Sequence, residues 1–353
     1  MVARFKVRMI NLFVELLQIA LGNKSCISRI PSREEWRALL DISQQQAVVG
    51  IIVQGLEKLS REQIPPKDIL LQWIGLAQVS MGTYTLHCER ARELTSKFKM
   101  AGFRSCVLKG IGLAQLYPKP DDRQFGDIDL WVEGNRKEVM DWLHSQCKVG
   151  TVIWHHVDAE FFEDVPTEVH FHPCWMYNPF CNRKLQLWFD AQRARQMTVD
   201  EKLGFAYPSV RFNAVYSLVH FYHHLIEEGI GIRHIIDYYY VIKALSEEDK
   251  QGVVNNLKMF GLLPIAKAMM WVLKEVCGMP VVYLICEPNE KEGRFLFDEI
   301  LRGGNFGHYR KDDRQRNSVG RLLALLPHYP QEVLWVAPWK IWHRTWMMFH
   351  KNG

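Results

Sequence analysis

Val107-Leu108-Lys109-Gly110 is followed 13 residues later by Arg123-Gln124-Phe125-Gly126-Asp127-Ile128-Asp129-Leu130-Trp131-Val132. Side chains two apart on a strand share a face, so Asp127 and Asp129 project together from an otherwise apolar Ile/Leu/Trp/Val strand. Adjacent carboxylates repel and raise one another's pKa, and a divalent cation supplies the missing positive charge. Hard oxygen ligands of this kind suit Mg²⁺ or Mn²⁺ shared with substrate phosphates. Glu168-Val169-His170-Phe171-His172 alternates with the same period, which puts Glu168, His170 and His172 on one face of a short strand. In a sheet, Glu168 can lie beside Asp127 and Asp129 and complete a two-metal site. Lys109-Gly110 ends a strand where a helix begins. There Gly110 permits close backbone approach and the helix N-terminus favours anions. Lys109 adds a point charge, and Arg123 is a candidate bidentate phosphate clamp. The plainer alternative for both cations is a surface salt bridge.

Around this stretch the chain divides into three parts: helical over 1–100, a small α/β core over 101–208, and helical again over 209–353. Ser32 with Glu35 three positions on forms a capping box, and Ala47 to Leu56 carries a second apolar helix pattern. Pro66 suits the first turn of a long helix to about Met100, with Ile69, Trp73, Leu76 and Val79 as its inner stripe. In the core, strands are expected at Ser105–Leu108, Ile128–Val132, Val152–His156, Glu160–Phe162 and Thr167–Phe171, with a helix capped by Asn135 running to about Gln146. The fold class expected is α+β, predominantly helical, with a small mixed sheet.

The 353 residues are 48% hydrophobic and 24% charged, which excludes a mainly disordered chain, a collagen-like repeat and a multi-span membrane protein. A net charge of +5 favours anionic ligands but carries no strong nucleic-acid signature. The eight cysteines include no closely spaced pair, which points to reduced thiols and a cytoplasmic setting. The N-terminal segment is basic and then apolar, but Asn11, Glu15 and Gln18 interrupt it at helical spacing, so it reads as an amphipathic helix. No apolar run is long enough for a transmembrane segment.

The motif set resembles the nucleotidyltransferase-fold superfamily that includes DNA polymerase β. More closely it resembles the uncharacterised bacterial nucleotidyltransferases with helical flanks. The residues that carry the resemblance are Lys109-Gly110, Arg123, Gly126-Asp127-Ile128-Asp129, Glu168-Val169-His170 and the helical stretch Ile232-Arg233-His234-Ile235-Ile236-Asp237. The superfamily's usual Gly-Ser or Gly-Gly phosphate loop is here Lys109-Gly110, which supplies no serine hydroxyl. The resemblance implies a metal-dependent enzyme, using Mg²⁺ or Mn²⁺, that transfers a nucleoside monophosphate from a nucleoside triphosphate such as ATP to an acceptor hydroxyl. Asp127, Asp129 and Glu168 would hold the metals and carry catalysis, while Lys109, Gly110, Arg123 and Gly126 would meet the phosphates. The acceptor is open: a small molecule, sugar, protein or RNA. Two alternatives stand beside this reading, a non-catalytic binding module of the same fold and a membrane-associated scaffold.

Other features take plainer readings first. No cysteine–histidine group has zinc-finger spacing, so His170, His220 and His224 are assigned to an acceptor pocket or to hydrogen bonding in the helical region. Arg233 and Asp237, four apart on a helix, read as an ion pair, with substrate positioning as the competitor. Trp335, Trp339, Trp342 and Trp346 form a stripe expected to pack internally, with a membrane-surface helix as the alternative. His308–Arg316 reads as a solvated loop.

Overall fold

Ser32 and Glu35 make the reciprocal pair their spacing predicts. The Ser32 hydroxyl accepts from the Glu35 amide, and the Glu35 carboxylate accepts from the Ser32 amide. The structure is a computed structural model that describes residues 2–309 and 318–350, so 310–316 of the expected solvated loop lie outside the described residues. The capped helix is α2 (Arg33–Gln45), preceded by α1 (Val2–Ala20) and followed by α3 (Val49–Leu56) and the long α4 (Lys67–Met100). The stripe on α4 differs from the expected one. Ile69 and Trp73 are buried, but Val79 is 69% exposed. The reason is that α4 serves two cores. Ile69 and Trp73 belong to the helical core, whereas Cys88, Ala91, Leu94 and Phe98 belong to a second core under the sheet. Val79 falls on the span between the two.

The sheet contains β1 (Arg104–Leu108), β2 (Ile128–Glu133), β3 (Lys148–Val152), β4 (His156–Glu160) and β5 (Thr167–His170), in the order β1-β2-β5-β4-β3. β2 and β5 are parallel, and the other neighbours are antiparallel. α5 (Gly110–Ala114) follows β1, and α6 (Arg136–Gln146), capped by Asn135, connects β2 to β3. The strands expected at Val152–His156 and Glu160–Phe162 are displaced. Residues 153–155 form the turn, and β4 occupies 156–160. Apolar runs mislead here because β4 alternates His156 and Asp158 with Val157 and Ala159. One sheet face, with Leu130, Val157 and Val169, packs on α4 and α6. The other face joins the helical core through Cys106, Leu108 and Trp131, and there Trp131 stacks on Phe212 with centroids 5.7 Å apart. Burying a large apolar side chain of this kind contributes roughly 1.5–3 kcal/mol.

The remaining helices close over that second face. They are α7 (Pro179–Gln196), α8 (Val210–Glu227), α9 (Ile232–Ala244), α10 (Glu247–Met259), α11 (Leu263–Glu275), α12 (Glu290–Gly303), α13 (Ser318–Leu325) and α14 (Pro330–His350). The larger core draws residues from all three parts of the chain. The tryptophan stripe of α14 packs inward only in part: Trp335 and Trp339 are half-buried against the core, whereas Trp342 is 46% exposed. Trp339 stacks on Trp175 at 5.2 Å, Trp335 meets Phe180 edge-on at 6.0 Å, and Trp342 meets Trp154 edge-on at 6.1 Å. No helix among the described residues is long and apolar enough to cross a membrane.

Candidate active site

The sheet wall of the site follows from strand register. Asp129 on β2 is the direct partner of Glu168 on β5, Glu168 is the partner of Asp158 on β4, and His156 is the partner of His170. The period-two alternation therefore places Asp129, Glu168, His170, His156 and Asp158 on one face, beside Lys109 at the end of β1. Asp127 sits one residue ahead of β2 and is partly exposed, whereas Asp129 is buried. Lys109 has φ 50° and ψ −144°, and Gly110 has φ 37°. A non-glycine residue held at positive φ stores backbone strain, which clusters at functional sites. A Cβ on Gly110 would meet only the Asp127 carbonyl oxygen, at 3.8 Å. Its positive φ, rather than tight backbone approach, is what asks for glycine.

The buried charges on this wall are paired by the chain itself. Lys109 Nζ lies 2.8 Å from Asp129 Oδ1 and donates to His220 Nε2 at 3.0 Å. His170 Nε2 donates to Asp129 Oδ1 at 2.9 Å and to Glu168 Oε2 at 3.1 Å, while its Nδ1 donates to the His172 carbonyl at 3.3 Å. With both nitrogens donating, His170 is an imidazolium. Burial opposes that charge, but the bonds to Asp129 and Glu168 outweigh it and raise the ring to about 9. Burial likewise works to raise Glu168, but His170, His156 and Lys109 prevail and hold it at about 2. Lys109 is raised, because Asp129, Asp127 and Glu168 override its desolvation.

The opposite wall comes from α8 and α9. His220 and His224, four apart on α8, have Nε2 atoms 2.9 Å apart. His220, His223 and His234 are all depressed well below the ordinary imidazole value, first by burial and then by neighbouring positive charge. Asp237 on α9 pairs with Arg123 rather than with Arg233. Arg123 Nε and Nη2 donate to its two oxygens at 2.8 Å each, and Tyr117 Oη adds a third bond at 2.5 Å. Arg233 instead donates to the Gln124 carbonyl at 3.0 Å. The helical spacing of Arg233 and Asp237 is as read, but the loop before β2 brings Arg123 in between as the better partner. Arg123 is consequently 5% exposed and its fork is occupied, which departs from the expected phosphate clamp. Lys109 departs similarly, since Asp129 and His220 already engage it.

Between the two walls lies one cavity of about 660 Å³. Lys109, Gly110, Arg123, Gly126, Asp127, Asp129, Glu168, His170, His220, His224, Arg233 and Asp237 are every one on its lining. Gly126 has open space where a Cβ would stand. Sequence reasoning missed His155, His156, Trp175 and Phe306, which also line it, and gave no site role to His223 and His234 beside them. The alternation His156-Val157-Asp158 was an available signal for β4. His223, His234, Trp175 and Phe306 reach the cavity through helix packing, for which no local pattern exists.

The donor set meets the needs of a divalent cation. Single ligand atoms of Asp129, Glu168 and His170 lie within 4.8 Å of one another, where the protonated His170 offers no lone pair and leaves the two carboxylates as donors, and His156, Asp158 and Glu168 form a second such group. Asp127 lies on the same cavity lining but outside both groups. The carboxylates of Asp127, Asp129 and Glu168 face two cations, Lys109 and His170, so a net negative charge faces the cavity. Hard oxygen donors with that excess fit Mg²⁺ or Mn²⁺.

Among curated proteins, no relative matches the chain. A solved structure of an antigenic nucleotidyltransferase-like protein from Paracoccidioides brasiliensis is similar at 14% identity over 48% of this chain and 87% of its own, with a TM-score of 0.31. The family described as uncharacterised nucleotidyltransferase matches residues 32–278, a span that includes α2, the whole sheet and both walls of the cavity. The chain belongs to that nucleotidyltransferase family.

Proposed function

We propose that the protein is a metal-dependent nucleotidyltransferase, which moves a nucleoside monophosphate from a nucleoside triphosphate to an acceptor hydroxyl and releases pyrophosphate. The observation that carries this reading is the cross-strand pairing of Asp129 with Glu168 on the lining of a cavity that Asp127 also borders. Asp127, Asp129 and Glu168 would hold Mg²⁺ or Mn²⁺, which supplies Lewis acidity towards phosphate oxygens and lowers the pKa of a bound hydroxyl. His170 is already protonated at both nitrogens, so it does not serve as the base. It ties Asp129 to Glu168 and fixes both carboxylates. Glu168 engages His170 and His156 through Oε2, which leaves Oε1 to orient an acceptor hydroxyl, and the low-pKa carboxylate stays ionised for that task. The free thiols suit a reducing, nucleotide-rich cytoplasm.

The test is pyrophosphate release with a panel of nucleoside triphosphates and Mg²⁺ or Mn²⁺, using the protein's own hydroxyls as fallback acceptor. The expected outcome is that Asp129→Asn and Glu168→Gln each slow release by orders of magnitude, and that Glu168→Gln keeps nucleotide binding. His170→Ala is expected to cost less. A Glu168→Gln protein at wild-type rate beside an inactive His170→Ala protein would transfer the base role to histidine.

One observation favours a second reading, a binding module without turnover. Lys109 Nζ and His170 Nε2 both lie on Asp129 Oδ1, so the chain's own cations occupy positions a metal would share. Mn²⁺ binding by calorimetry without pyrophosphate release from any triphosphate would establish this alternative.

A further inference from the structure

Arg123 and Arg233 border the loop that carries Gly126 and Asp127, and both donate to the Gln124 carbonyl, at 3.1 and 3.0 Å. They differ in one respect. Arg123 meets Asp237 through two parallel bonds. Arg233 is 9% exposed, forms no ion pair among the described residues, and has a buried Nε without a hydrogen-bond partner. A guanidinium removed from water without a counter-ion is strongly disfavoured, and arginine does not shed its proton at neutral pH. The Phe306 ring, 5.4 Å from Arg233 Cζ, shields the charge but does not neutralise it. His234, the next residue, is neutral by burial and leaves its own Nδ1 unpartnered. Burial and the neighbouring Arg123 lower Arg233 to about 10, against the opposing pull of Asp237 and Asp127, neither of which forms an ion pair with it.

We propose that Arg233, with His234 beside it, binds the terminal phosphates of a nucleoside triphosphate. The identity of the ligand rests on the nucleotidyltransferase reading, while the anion site rests on the unpaired guanidinium. Both arginine and carboxylates line the same cavity. A single carboxylate or monophosphate would satisfy Arg233 and leave the acids of the sheet wall facing another anion. An oligophosphate carrying a divalent cation satisfies both walls at once, with the cation towards Asp127, Asp129 and Glu168 and the far phosphates on Arg233. A cavity of about 660 Å³ is of a size that takes a nucleotide. The phosphate contact expected of Arg123 thus passes to the arginine that the fold leaves without an acid.

The experiment is calorimetric titration of the full chain with inorganic tripolyphosphate and Mg²⁺, in parallel with inorganic phosphate. Wild type is expected to bind tripolyphosphate in clear preference to phosphate, and Arg233→Gln to bind it about ten- to a hundredfold more weakly, the range for lost charge-assisted hydrogen bonds. Arg233→Lys keeps the charge without the fork and should fall between them. It also decides the matter if Arg233→Gln fails to fold, as judged by its melting transition. Equal affinity in the folded Arg233 variants, no tripolyphosphate binding by wild type, or a preference for inorganic phosphate would each overturn the assignment. None of these readouts uses turnover. Absence of pyrophosphate release from wild type would therefore sink the transfer reading and leave the anion site standing.

Discussion

The sheet wall and the helical wall of the cavity handle buried polarity in different ways. On the sheet wall the buried charges have partners within the chain, Lys109 on Asp129 and His170 between Asp129 and Glu168, while the partly exposed Asp127 is left facing the cavity. On the helical wall Asp237 and Arg123 are matched, but Arg233, His223 and His234 keep buried nitrogens without partners. Buried polar groups in folded proteins are hydrogen-bonded with few exceptions, so a cluster of exceptions marks a place where a ligand completes the set. The difference separates a preassembled charge network, which holds geometry, from a wall that awaits a bound anion. It also explains why two arginines that meet at the Gln124 carbonyl take opposite roles.

The contrast can be broken at its matched pair first. Asp237→Ala leaves Arg123 buried against Tyr117 with no anion, and should cost about 3–5 kcal/mol in urea unfolding, the range for breaking a buried ion pair from one side. A loss below about 1 kcal/mol would mean that Arg123 is no better matched than Arg233. The next effect is a pH dependence. His170 is raised in the folded state to about 9 from the ordinary imidazole value of 6.5. Its contribution to stability is therefore fully present below pH 6.5 and lost as pH rises through 9. The size is roughly 3–4 kcal/mol, because each tenfold gain in proton affinity on folding contributes about 1.4 kcal/mol. His170→Gln should flatten that slope in unfolding measured across roughly pH 6–10, and an unchanged slope would assign it to another group.

The smallest effect sharpens the comparison. Arg233→Met removes a buried cation that has no acid partner, while Arg123 still donates to the Gln124 carbonyl. Its stability should stay within about 1 kcal/mol of wild type or rise, since replacing an uncompensated buried charge by an apolar side chain is neutral to favourable. Arg123→Met, which orphans Asp237, should be clearly destabilising by the same measurement. Equal losses from the two substitutions would erase the distinction between the walls.

Much of the site was legible because its residues sit at strand ends with period-two spacing. Asp127 and Asp129 share their side of β2, and Glu168 and His170 theirs of β5. The motif resemblance also marked Arg233 and Asp237 on a helix far along the chain. The partners were less legible. A helical separation of four suggested Arg233 with Asp237, yet a loop residue 114 positions away in sequence takes that carboxylate. Val79 fitted the stripe of α4 but lies where that helix passes from one core to the other. β4 was displaced because its cavity face is polar, so the expected apolar run ended at His156 and left out Asp158.

What the amino-acid order by itself determined is local: the capping box at Ser32, the helix from Asn135, the strand at Asp129, and the faces on which the carboxylates stand. These follow from backbone hydrogen bonding and side-chain periodicity, which operate over a few residues. Which cation meets which anion was decided only by the tertiary structure. The helical layer folds back over the sheet, and ion pairing depends on distances and on desolvation set by packing between segments a hundred or more residues apart. That packing gave Asp237 to Arg123, set His220 against Lys109, and left Arg233 buried without an acid partner at the cavity.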